Sequence, residues 1–133
     1  MSDKPVRWIY RFFQTECETR GVYDGDEQDI LLDILTLGIF GFTIDELKRF
    51  KGLTEDHRLP DHLTNGEIVF SMLGETIATE LARIFDVYGF DEMTAVTYAA
   101  AQIASKARRT LEIETGSHLV QSWRSLPPPG IAW

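Results

Sequence analysis

Cysteine is nearly absent. Cys17 is the one thiol in 133 residues, so no intrachain disulfide can form, which fits a reducing compartment. Positive charge is also scarce: thirteen Lys and Arg stand against twenty-one Asp and Glu, for a net charge of −8. Phosphate backbones repel such a chain, so non-specific duplex binding is disfavoured and any nucleic-acid contact needs a local basic patch. No long apolar run occurs. The stretch "ILTLGIFGF" is about half of what a membrane span requires, and "MSDKPVRWIYRFF" lacks the apolar core and small-residue cleavage site of a secretory leader. A soluble, cytoplasmic protein without membrane contact is expected. Period-two alternation is missing as well, which argues against a sheet. There is no phosphate-binding glycine loop, nucleophile elbow or zinc-ligand spacing, so neither catalysis nor a cofactor or metal is expected.

What remains is helical periodicity, and it predicts an all-α fold. The expected architecture is a single domain over 1–133, a compact bundle of four to five helices with a long helical hairpin and an extended C-terminal tail. Asp3 and Pro5 suit a helix start, followed by Trp8, Ile9, Phe12, Phe13 and Cys17, with Gly21 as the stop. A second helix follows Asp24 or Asp26 and carries Ile30, Leu31, Ile34 and Leu35. "TLGIFGF" (36–42), with two glycines, reads as a bend or a very short strand. Thr43 and Glu46 have capping-box spacing, and Gly52 ends that short helix. A polar linker stiffened by Pro60 leads to a second capping box, Thr64 with Glu67. That box opens a long helix through Ile68, Met72, Leu73, Ile77, Leu81 and Phe85, broken at Gly89. Asp91 is the expected cap of the last long helix, which Gly116 closes. Its small residues, Ala95, Ala99, Ala100, Ala104 and Ala107, allow close helix approach, either within the hairpin or in a homo-oligomer. The tail "SHLVQSWRSLPPPGIAW" is expected to be extended after a short strand or packed arm.

The groups that could carry chemistry are His57, His62, Asp56, Asp61, Glu67, Glu75, Glu80 and Cys17. The histidines are five apart across a proline, which is poor metal-ligand spacing. A metal-dependent hydrolase is therefore the weakest of the readings kept open. Glu67 is assigned to its cap, Glu67 and Glu75 share a face as a conceivable carboxylate pair, and Cys17 reads as core. The cations are concentrated in Lys48, Arg49, Lys51 and Arg58 and in Lys106, Arg108 and Arg109. These residues are the candidate partner-binding set, for an acidic protein or, as an alternative, for nucleic acid. Cations late in a helix also suit its dipole.

The order "TIDELKRFKGL…RLPDHLTNGEIVFSMLGETIATELAR…GFDE…AQIASKARRTLEIETGSHLV" resembles the C-terminal region of DNA-damage-inducible protein D and of phage antirepressor-like proteins. Lys48, Lys51, Gly52 and Leu53 match a first element, and Leu59, Asp61, His62, Leu63, Thr64 and Glu67 a second. Met72, Leu73, Glu75, Thr76, Thr79 and Arg83 match a helix. Gly89, Phe90, Ile103, Ala104, Ala107, Arg108, Leu111, Glu112, Thr115 and Gly116 match the last part. The likeness spans about residues 43–122, while 1–42 match no element of that family and 123–133 form a Pro-rich tail. Ala100 and Ala101 stand where the family carries paired glycines. The resemblance implies a non-catalytic bacterial or prophage protein of the DNA-damage response, acting by contact with a recombinase or a phage repressor. It also makes Thr43, Glu46, Gly52, Asp61, His62, Thr64, Glu67 and Gly116 structural residues rather than a site.

Overall fold

The computed structural model describes residues 9–120. Five α-helices fill that span: α1 (Arg11–Thr19), α2 (Gly25–Phe40), α3 (Ile44–Phe50), α4 (Asn65–Phe85) and α5 (Phe90–Thr115). A short 3₁₀ turn, Leu59–His62, interrupts the linker between α3 and α4, and no strand occurs among the described residues. The readings of Asp3, Pro5 and Trp8 and of the tail beyond Val120 lie outside the described residues.

Helix α5 packs on both α2 and α4, and α1 lies against α4. Both capping boxes form. Thr43 Oγ1 accepts from the Glu46 amide while the Glu46 carboxylate accepts from the Thr43 amide. Thr64 and Glu67 do the same at the start of α4. Gly52, at φ +76°, turns the chain out of α3.

Three expectations need correction. Residues 36–40 are not a bend, because α2 runs on to Phe40 and stops at Gly41, whose φ of +84° the glycine makes cheap. Gly38 is needed for approach rather than for turning: a Cβ there would lie 2.5 Å from the Cβ of Ala101 on α5. The last helix is preceded by Gly89 as its N-cap, with Asp91 in the first turn. On α4, Leu73, Ile77 and Leu81 pack half-buried against the core, but the fully buried column is formed by other residues. That column is Glu67, Gly74, Glu75, Ala78, Thr79 and Ala82, while Phe85 is two-thirds exposed. Small residues face inward because α1, α2 and α5 all close on this helix. The alanines of α5 divide likewise: Ala100, Ala101 and Ala104 are fully buried, and Ala95, Ala99 and Ala107 are exposed.

The Gly38–Ala101 contact supports a direct test. In an open helix, Gly→Ala stabilises by about 1 kcal/mol. At Gly38 the added methyl meets a Cβ that cannot rotate away, so the helices must separate. Overpacking of this kind costs about 1–3 kcal/mol. Gly38→Ala is therefore expected to lower stability by about 1–2 kcal/mol in urea unfolding, and a gain would show that the helices can part freely.

Candidate functional site

The seven cations proposed for partner binding do not form one surface. Lys51 is 3% exposed, and its Nζ lies 2.6 Å from Oε1 of Glu67, itself fully buried. The same Oε1 accepts from the Thr64 amide, so the capping carboxylate is also a counter-ion. Lys51 follows the last turn of α3 and Glu67 lies in the first turn of α4, and each charge suits the dipole of its helix. Lys51 is thus removed from the partner-binding set.

Arg108 is also engaged internally. Its Nε donates to the carbonyl of Ile39, among the last of α2, and its Nη1 donates to Glu112 Oε1 at 2.6 Å. Glu112 Oε2 in turn accepts from the Leu119 amide, which ties down the chain after α5. Lys48 is half-buried and reaches the Glu55 carbonyl. Arg49, Arg58, Lys106 and Arg109 remain exposed. Lys106 stands one turn before Arg109 on the outer face of α5.

Between the end of α2, α3 and the last turns of α5 lies an open cleft of about 500 Å³. Its lining includes Phe40, Phe42 and Phe50 on one side and Arg108, Glu112 and His118 on the other. The rings of Phe42 and Phe50 stack with centroids 4.9 Å apart. A neighbouring recess shares Glu112 and His118 and adds Arg109 and Ile113, the latter 79% exposed. An aromatic wall facing the Arg108–Glu112 ion pair, with exposed Arg109 in the adjoining recess, can take an apolar side chain that has a carboxylate beside it. Periodicity alone could not reveal it, because Phe40, Phe42 and Phe50 come from different elements brought together by the Gly41 turn.

The remaining chemical candidates are scattered. His57 and His62 meet edge to face, with ring centroids 5.1 Å apart, and His57 Nδ1 accepts from the Thr54 amide. Asp56 and Asp61 are exposed. Among the described residues no group of three or more His, Cys, Asp and Glu is arranged to hold a metal ion. No described helix is long and apolar enough to cross a membrane. No protein-family model, curated protein or solved structure matches the chain.

Glu67 and Glu75 do not act as a carboxylate pair, since each is engaged separately. Glu75, 3% exposed, accepts from the backbone amides of Ile9 and Tyr10, the latter at 3.1 Å. Burial pushes its carboxyl up to about 8, against the opposing pull of those two amides. Cys17 is fully buried, and its thiol is pushed up to about 12, by burial first and then by the charges of Glu16, Glu18 and Glu75. A thiol so protonated is an inert core group. Glu80 is exposed and pairs with Arg83 at 3.7 Å.

Glu16 is the functional-looking residue that sequence patterning missed. It is nearly buried, and its carboxylate takes Arg20 at 2.7 Å and Arg83 at 3.2 Å. Arg20 also reaches Asp86 and the Val87 carbonyl, joining α1 to the α4–α5 turn. The only signal in the sequence was a charged residue on the apolar side of the first helix.

Proposed function

We propose that the chain is a non-catalytic helical regulatory protein of bacterial or prophage origin, acting by contact with another protein. The aromatic cleft bordered by exposed Arg109 carries this reading. On a chain of net charge −8, Arg109 and, one turn earlier, Lys106 are exposed cations beside the cleft, and they select a partner segment with an apolar anchor and neighbouring carboxylates. The resemblance of residues 43–122 supports a recombinase or a phage repressor as the partner. The buried residues of its motifs, Lys51, Glu67 and Glu75, then serve the fold, while the contact surface lies at the α3–α5 end.

The test uses purified recombinase in strand exchange and purified phage repressor in operator release, with wild-type protein and with Lys106→Glu/Arg109→Glu. Both positions are exposed, so the double variant is expected to keep its stability within about 0.5 kcal/mol. One of the two assays is expected to respond to the wild type, with a response about tenfold or more weaker for the variant. If neither responds to saturating wild-type protein, the regulatory reading fails.

A second reading, direct binding of single-stranded nucleic acid, draws on the Phe42–Phe50 stack beside cations, the combination that such grooves use. Binding of that kind weakens steeply with salt, in proportion to the phosphates neutralised, whereas an apolar anchor changes little. A salt titration with a labelled single-stranded oligonucleotide separates the two.

A further inference from the structure

Residues 9 and 10 cross α4 at the point where Glu75 faces inward. The amides of Ile9 and Tyr10 both donate to its carboxyl group, which places an acid of α4 at the start of α1. Ile9 also walls a small cavity with Leu32, Thr36, Leu59, Ser71 and Glu75. About 30 Å³ of that cavity is open to water, enough for about two molecules.

No cation among the described residues faces this acid. From α1 it meets the neutral thiol of Cys17, beside Glu16, whose charge Arg20 and Arg83 hold. Helix α2 contributes Thr36, while α3 and the 3₁₀ turn offer apolar side chains such as Ile44, Leu47 and Leu59. Along α4 itself, Ser71 lines the cavity, and the Glu67–Lys51 ion pair lies two turns earlier. A buried carboxylate that, among the described residues, is held by two amides and no cation is poorly compensated.

We propose that Glu75 makes residues 9 and 10 a proton-gated latch. With the carboxyl protonated, residues 9 and 10 lie closed over the cavity. When the proton leaves to solvent, the segment releases and water reaches the carboxylate. The sign follows from linkage. The closed state holds its proton to a pH of about 8, whereas a hydrated glutamic acid loses it near 4.5. Closure is therefore complete in acid and loses about tenfold in its equilibrium constant per pH unit between those values.

The experiment is an NMR titration of the full chain from about pH 5 to about pH 9, following the Glu75 side-chain carboxyl carbon and the exchange rate of the Tyr10 amide. The carboxyl is expected to titrate well above the ordinary glutamate range. Corrected for intrinsic base catalysis, Tyr10 exchange is expected to quicken by up to about tenfold per pH unit. Glu75→Gln, which accepts the same amides without a charge, is expected to keep Tyr10 protected throughout. Titration of Glu75 below about pH 6 would overturn the proposal without any variant being needed. So would Tyr10 exchange that follows intrinsic chemistry alone, or a Glu75→Gln protein that opens with pH as the wild type does.

Discussion

Lys51→Met is expected to remove about 3–5 kcal/mol of stability, a large part of what a domain of this size has. The loss comes less from the attraction that disappears than from the charge left behind. Glu67 has no exposed surface, and its buried carboxylate would lose the ammonium group that lies 2.6 Å from its Oε1. Methionine nearly matches the lysine stem in volume, so cavity formation contributes little. The companion variant isolates the cause. Lys51→Met/Glu67→Gln removes both charges, yet glutamine still accepts from the Thr64 amide and preserves the capping box. Most of the loss is expected to return in the double variant. Urea unfolding followed by circular dichroism measures all three proteins. A Lys51→Met midpoint within about 1 kcal/mol of wild type would mean that Glu67 finds another partner or solvent.

The second large effect is a dependence of stability on pH in an unusual direction. Most carboxylates in folded proteins are held below their ordinary value and protect against unfolding as pH rises. Glu75 is raised, from 4.5 to about 8, chiefly by burial. Between those values the native chain holds a proton that the unfolded chain has lost. Its contribution is complete below about pH 4.5 and falls by about 1.4 kcal/mol per unit as pH rises towards 8. The total reaches about 5 kcal/mol unless release of residues 9 and 10 hydrates the group first, which caps the fall at the free energy of that local opening. Glu75→Gln is expected to flatten the curve and to exceed wild type in stability above neutral pH. Thermal melts across that range check it, and a wild-type curve that rises from pH 6 to 8 would contradict the assignment.

Helix boundaries were legible wherever local chemistry sets them. The pairs Thr43–Glu46 and Thr64–Glu67 announced their helices, and Gly52 and Gly116 ended theirs, because caps depend on residues within one turn. The α4–α5 hairpin was legible, but α4 ends at Asp86, in the left-handed region at φ +48°, and not at Gly89, which starts α5. Contacts between distant segments were not legible. Two glycines in "TLGIFGF" suggested a bend, yet only Gly41 turns the chain while Gly38 admits Ala101, and nothing local tells the two uses apart. Lys51 read as a surface cation because its counter-charge lies sixteen positions away on another helix. Glu75 read as one of several carboxylates on a helix, since its partners are backbone amides, which carry no sequence signal. The aromatic cleft stayed hidden for the same reason.

The contact between Gly38 and Ala101 leaves room for one methyl group between two helices. Which helix supplies that methyl is a matter of sequence history rather than of packing. Gly38→Ala combined with Ala101→Gly moves it from one backbone to the other, so the two substitutions are expected to couple rather than add. Where a related sequence carries glycine at the place of Ala101, the place of Gly38 is free to become alanine. Across diverging sequences the two positions should change together.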